Sequence, residues 1–344
     1  MEINTEFILE TMKKYLQIPS PGGYTREATL EVKKDFEKFG LKTELTNKGA
    51  LIGTLEGENN DRHVMITAHI DTLGCMVKEI TNDGRIKYGK IGGGSWSSIE
   101  GENCYIITRK GKKIRGSVIP KMASAHIYGA DRDATRNGEN MFIRLDEIVA
   151  SKEDVLNLGI NIGDFICMDT RTEITDSGFV KSRYLDDKLA VAILVEIVRY
   201  FSENNLKPKY TTHFFISNYE EIGHGVAGEP EKVAEMIAVD IGIVGDGQNS
   251  DEYSVSIAAM DRRSPYNFEF RNKLVDIAEE NNIRYKLDLY NFYSSDSTHV
   301  AGQGKDINFA SLGPAVDASH HYERTHISSI NNTTELLIKY LLCD

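Results

Sequence analysis

The chain has 344 residues, 40% of them hydrophobic and 27% charged, the balance of a soluble globular protein with room for two domains or one large one. Its net charge of −12 argues against a nucleic-acid-binding surface. No apolar run approaches a membrane span, and the start, Met1-Glu2-Ile3-Asn4-Thr5-Glu6, lacks the basic and apolar regions of a secretion signal.

Residues 5–17 and 25–39 read as amphipathic helices, the second stopped by Gly40. Between them Pro19-Ser20-Pro21-Gly22-Gly23 is a breaker. Strands are expected at 42–47 and 50–56. The run His63-Val64-Met65-Ile66-Thr67 then has the apolar, β-branched character of a buried strand, and it leads into His69 and Asp71. From about 74 the texture changes to short strands and turns, with hairpins over 80–86 and 105–119. The loop Gly92-Gly93-Gly94-Ser95 is not followed by the Lys-Ser/Thr and helix that a phosphate cradle needs. Residues 74–175 therefore read as a small β-rich domain inserted into an outer domain of 1–73 and 176–344.

Helical texture returns at Asp186, with Leu189, Ala190, Ile193, Leu194, Ile197, Val198 and Phe201 on one face. Then come a strand at 211–217, a helix at 230–237, a buried strand from Ile237 to Val244, a strand at 254–259, a helix at 267–282 and a strand at 307–312. A closing helix spans 333–342, with Asn332 and Glu335 at capping-box spacing. Strands alternating with helices imply an α/β fold with a mostly parallel sheet and helices on both faces. The scattered Cys75, Cys104, Cys167 and Cys343 show no C-x-x-C spacing and read as reduced thiols of a cytoplasmic protein.

Five acidic or histidine positions fall at or near element ends, where an open α/β sheet has its functional crevice. With period-two geometry His69 and Asp71 point to the same side. His69 then reads as a metal ligand and Asp71 as the group holding its other ring nitrogen; the alternative is a buried, hydrogen-bonded histidine. Asp186-Asp187 precedes a helix and could be no more than a cap. Glu220-Glu221 follows a strand and could be a solvated loop. Asp240 lies in the otherwise apolar Ala238-Val239-Asp240-Ile241-Gly242, where an unpaired carboxylate is costly and wants a cation. His326 stands in Arg324-Thr325-His326-Ile327-Ser328. Together these residues supply the mixed N/O donor set that suits zinc, cobalt or manganese.

His69-Ile70-Asp71, Asp186-Asp187-Lys188, Glu220-Glu221-Ile222-Gly223, Val239-Asp240 and the late His326 resemble, in order along the whole chain, the tetrahedral (TET) and glutamyl aminopeptidase family of dinuclear metallopeptidases. Ile162-Gly163-Asp164-Phe165 and Ser177 to Arg183 resemble that family's return from its inserted domain. The resemblance implies that His69 and Asp240 bind one of two divalent metals, that Glu221 and His326 bind the other, and that Asp186 bridges them. It makes Glu220 the general base and Asp71 the orienting group for His69, and it implies a cis peptide at Asp186-Asp187. His69 and Asp186 are 117 residues apart but Asp240 and His326 only 86, so the insertion falls between the first and second ligands, unlike that of carboxypeptidase and deacylase relatives. His320 and His321 compete with His326, which is preferred for its Thr-His-Ile-Ser context; either could line the pocket instead. His224 and His299 read as structural or pocket-wall residues, and His126 as a surface residue. Arg262 and Arg263, in a loop, could select acidic side chains. The expected activity is removal of N-terminal residues from short peptides by a cytoplasmic homo-oligomer, a dodecamer by the resemblance. A deacylase of acylated amino acids and a non-catalytic metal-binding assembly protein are the alternatives.

Overall fold

The computed structural model describes residues 2–343; Met1 and Asp344, the outer ends of the expected catalytic domain, lie outside the described residues. The chain forms two compact units. One holds the chain through Asp71 and again from Arg171, and the other is Thr72–Thr170. The first unit begins with α1 (Thr5–Leu16), α2 (Arg26–Lys38), β1 (Lys42–Leu45), β2 (Leu51–Leu55) and β3 (Asn59–His69). Asn4 caps α1 by accepting the Phe7 N–H, which satisfies one of the helix's free donors.

The second unit contains β4 (Gly74–Ile80), β5 (Ile86–Ile91), β6 (Asn103–Ile107), β7 (Lys113–Pro120), the one-turn α3 (Ala125–Tyr128), β8 (Met141–Leu145), α4 (Lys152–Asn157) and β9 (Phe165–Met168). The hairpins read at 80–86 and 105–119 are β4–β5 and β6–β7. The six strands close into an antiparallel barrel in the order β4-β5-β8-β7-β6-β9. Closure leaves no strand edge unpaired, and Val77, Ile86, Ile106, Val118, Ile143 and Ile166 are buried in it.

The first unit resumes with β10 (Glu173–Ile174), β11 (Phe179–Ser182), α5 (Leu185–Glu203), β12 (Tyr210–Ser217), β13 (Val233–Val239), β14 (Gly242–Val244), β15 (Val255–Met260), α6 (Phe268–Glu280), β16 (Tyr285–Leu289), α7 (Asp296–Gly302), β17 (Asn308–Asp317), β18 (Glu323–His326) and α8 (Ile327–Leu342). Its sheet runs β1-β2-β12-β3-β13-β17-β18-β11-β10, with β14 and β15 also on β17 and β16 on β15. The expectation of a mostly parallel sheet is corrected: the sheet is mixed. β3, β12, β13 and β17 pair in parallel at its centre, whereas β1–β2, β2–β12, β15–β17, β17–β18 and β18–β11–β10 are antiparallel. Tight turns make the difference. Thr46 to Ala50, with Gly49 at φ +87°, joins β1 to β2, and Thr175 to Phe179 joins β10 to β11; turns this short connect only antiparallel strands.

Leu189 to Val195 of α5 are all 0% exposed, because the sheet covers one side of this helix and α1, α2 and α8 the other. Val64, Ile66 and Ala68 of β3 join that core. Met65, one residue out of step, packs on the opposite face with Phe215, Met236 and Val300 of α7. Helices thus lie on both faces.

Three element readings need correction. Residues 230–237 are not a helix: Val233–Val239 is β13, buried between β3 and β17. Its Ala-Glu-Met content favours a helix, but pairing on both edges overrides propensity. The strand expected from Ile237 to Val244 is broken at Asp240 and Ile241, between β13 and β14. The last helix starts at Ile327, capped by the His326 side chain, which accepts the Ser328 N–H; Asn332 and Glu335 lie inside it. Among the described residues no helix is long and apolar enough to cross a membrane.

Candidate metal centre

The parallel centre of the sheet sets the site. Ser217, the last residue of β12, pairs with His69, the last of β3, and Ala238 of β13 pairs with Thr67. Three strands therefore end side by side, where an open α/β sheet presents its crevice. His69 ends the first strand, a 3₁₀ turn carrying Glu220 and Glu221 follows the second, and Asp240 follows the third. Asp186 enters from the non-helical start of α5 (φ −73°, ψ 100°), where the Asp186–Asp187 peptide is cis. His320 enters from the turn between β17 and β18.

His69 Nε2 lies 3.1 Å from Asp186 Oδ1 and 3.6 Å from Glu220 Oε2. On the far side of the cluster His320 Nε2 is 3.4 Å from both Asp186 Oδ2 and Glu221 Oε2. One atom each from His69, Asp186 and Glu221 lies within 4.8 Å of the others, as it does for His69, Glu220 and Asp240 and for Asp186, Asp187 and Asp240. Asp187 Oδ2 accepts the His69 N–H at 3.0 Å, and Asp240 Oδ1 accepts the Ile241 N–H at 2.7 Å.

Burial raises the carboxyls of Glu220 and Glu221 well above their ordinary value. Asp240 is pushed up to about 7 by burial and the nearby Asp186. Asp186 is the exception: burial pushes it up, but the hydrogen bonds of His320 and His69 outweigh burial and hold it low. His320 rises to about 10 against its own burial, because Asp186 and Glu221 face it. So much negative potential in a buried space calls for cations.

The atoms fit a metal. His69 Nδ1 donates to the backbone carbonyl of Asp71 at 2.9 Å, which leaves Nε2, 3.1 Å from Asp186 Oδ1, to carry a proton toward that carboxylate or, in the neutral ring, to offer its lone pair to an ion. Glu221 Oε1 and Asp187 Oδ1 are buried without a hydrogen-bond partner. Two imidazoles among carboxylates are donors for zinc, cobalt or manganese.

Some expected residues stand elsewhere. His326 is not in the cluster. Its Nε2 is 2.9 Å from the Ser177 carbonyl, its Nδ1 bonds Ser328, and its ring packs between Phe179 and Tyr253. The place expected for it is taken by His320, which the turn after β17 holds at φ +62°. His321 is exposed, and its carbonyl accepts from Arg183. The Asp71 carboxylate lies 3.6 Å from His69 Nδ1, so its backbone oxygen does the orienting. The carboxylate instead accepts the N–H groups of Glu220 and Glu221 at 3.0 and 3.2 Å, and burial pushes it up to about 6. Arg262 and Arg263 do line a cavity of about 540 Å³, together with Glu220, Ser294, Asp296 and His299.

Two buried acids escaped the sequence reading. Asp296 accepts from Ser217 Oγ and the Val226 N–H, which ties down both flanks of the Glu220–Gly225 turn. Glu323 holds the backbone of Asp186 and His320; burial and Asp186 push it up to about 8. In β18 the buried Glu323 and Thr325 alternate with exposed Arg324, but the run Glu-Arg-Thr-His carries no apolar alternation in the sequence to announce it.

Comparison with known proteins adds an independent line. The family description "M42 glutamyl aminopeptidase" matches residues 49–336. The candidate aminopeptidase YhfE of Bacillus subtilis (strain 168) is 47% identical over 334 residues, covering 97% of this chain and 96% of that protein. Among solved structures, aminopeptidase APDkam598 from the archaeon Desulfurococcus kamchatkensis superposes with a TM-score of 0.88 at 20% identity, covering 98% of this chain and 95% of the other. The Pyrococcus horikoshii TET1 peptidase, which can assemble into a tetrahedron or a large octahedral shell, superposes with a TM-score of 0.84 at 20% identity over 97% and 99%.

Proposed function

Because the chain belongs to the M42 glutamyl aminopeptidase family, it is a peptidase that removes N-terminal residues, and we propose that it acts on short peptides in the cytoplasm as a dinuclear metal enzyme. The observation that carries this reading is the convergence of three overlapping acid and histidine sets on one strand-end crevice, with Glu220 shared between the cluster and the cavity. His69, Asp240 and Asp186 would hold one ion, and Asp186, Glu221 and His320 the other. Bound there, zinc, cobalt or manganese would supply Lewis acidity to the scissile carbonyl and make water a stronger acid.

The protein's own groups divide the rest of the work. Glu221 turns toward Asp186 and His320, whereas Glu220, 3.6 Å from His69, also borders the cavity; this supports assigning Glu220 to take the proton of the attacking water and pass it to the leaving amine. Asp71 fixes both glutamates by their N–H groups and His69 by its carbonyl. Arg262 and Arg263 bring two guanidinium forks to the same cavity, which suits an N-terminal Glu or Asp side chain.

Glutamyl, leucyl and N-acetyl-glutamyl amides, assayed side by side after chelation and metal return, test the whole reading. Activity should vanish on chelation, return with metal, favour glutamyl over leucyl amide and spare the blocked substrate. Arg262→Ala and Arg263→Ala should lower the glutamyl-to-leucyl ratio. Faster cleavage of the blocked amide would make the protein a deacylase.

A further inference from the structure

One buried carboxylate offers nothing to the candidate ion sites yet holds two of their members. Glu323, the first residue of β18, is 2% exposed and pairs with Ser182 of β11. Its Oε2 accepts the Asp186 N–H at 3.1 Å and its Oε1 accepts the His320 N–H at 3.1 Å. Neither residue is held by regular structure. Asp186 sits where α5 is not yet helical, and His320 has a left-handed φ of +62°, disfavoured for any residue with a Cβ. Their side chains, in turn, meet at Asp186 Oδ2 and His320 Nε2, 3.4 Å apart.

We propose that Glu323 is a positioning residue that sets the spacing of Asp186 and His320 and thereby the affinity of the ion site they share with Glu221. This rests on the dinuclear reading above. The role belongs to the ionised carboxyl, which cations in the neighbouring sites would favour: acceptor-only at both oxygens, it can receive two N–H groups at once, whereas an amide must turn its own NH₂ against one of them. Outer groups that orient ligands typically govern metal affinity by roughly 10- to 100-fold.

The test uses the full-length protein and its Glu323→Gln and Glu323→Asp variants. Zinc affinities are measured by chelator competition, and the visible spectrum is recorded after cobalt substitution. In Glu323→Gln one of two affinities should fall by roughly 10- to 100-fold and the cobalt spectrum should change. KM at saturating metal should stay within about twofold, because uniform substrate binding is untouched. Glu323→Asp, which keeps both acceptor oxygens, should retain part of the lost affinity. Two unchanged affinities with an unchanged spectrum in Glu323→Gln overturn the proposal. Should that variant not fold, Glu323→Asp decides alone: a weakened site supports the proposal and wild-type affinities reject it. His320→Ala separates this from the reading beneath it. If His320→Ala loses one ion while Glu323→Gln loses none, Glu323 alone is rejected. If His320→Ala keeps both ions at full affinity, the dinuclear assignment itself falls.

Discussion

Glu220 and Glu221 show how one residue step divides a task. Glu220→Gln keeps the shape but removes the basicity, so it should retain metal while kcat falls by roughly 10²–10⁴. Glu221→Gln should lose one ion, and excess metal should restore part of its activity. Elemental analysis beside steady-state rates checks both, with His320→Ala expected to lose an ion and His326→Ala to keep the full content. His326→Ala should instead destabilise the fold by about 1 kcal/mol, the usual worth of a helix N-cap. The reverse metal result would return His326 to the ligand set. His69 ends an apolar strand and Asp240 interrupts one, so both were legible as pattern, whereas Asp186 and Glu221 joined them only through the ordered family resemblance. The choice among His320, His321 and His326 was not. It depends on the left-handed turn at His320 and on the pairing of β11 with β18, neither of which has a local sequence signature.

At the level of elements, the helices α1, α2, α5 and α6 and the central strands β3 and β12 were readable from periodicity. β13 was misread because its partners, β3 and β17, lie far off in the chain. The lower edge of β3 and β12 carries a second histidine pair. His63 Nδ1 lies 2.9 Å from His213 Nε2, and Thr54 Oγ1 is 3.0 Å from His213 Nδ1. Burial, then the neighbouring His63, push His213 from 6.5 down to about 4. Between these values the unfolded chain binds the proton and the folded one does not, so stability rises with pH. The contribution of this group is therefore complete above about 6.5 and is lost as pH falls through about 4. His213→Gln, melted from pH 7 to pH 4, should show a shallower fall in Tm than the wild type. Parallel Tm curves would mean that His213 carries no proton linkage.

For the whole molecule, the insert was readable from the change to short strands and turns after about residue 74, but its closure into a barrel was not, because period-two strands look alike in open and closed sheets. In this unit Ile127, Ile148 and Ile162 are exposed. If the homo-oligomer that the family resemblance implies is built through this insert, light scattering of the wild type should report a large assembly, up to a dodecamer. Ile148→Asp with Ile162→Asp should then give a smaller species that still folds. A monomeric wild type at working concentration would remove the assembly from the account.

The order of strands in the central sheet also has a consequence for synthesis. β3 leaves the ribosome early, but its parallel neighbour β12 follows only about 150 residues later, and pairings so distant close slowly. The barrel between them is complete before β12 exists, and domains generally fold as units during translation. The nascent chain therefore passes through a stage with a finished barrel and a β3 whose two edges are both bare. The crevice that gathers the candidate ion-binding residues is among the later parts of the fold to form, so an ion bound there would meet a nearly finished fold and could not guide its early steps.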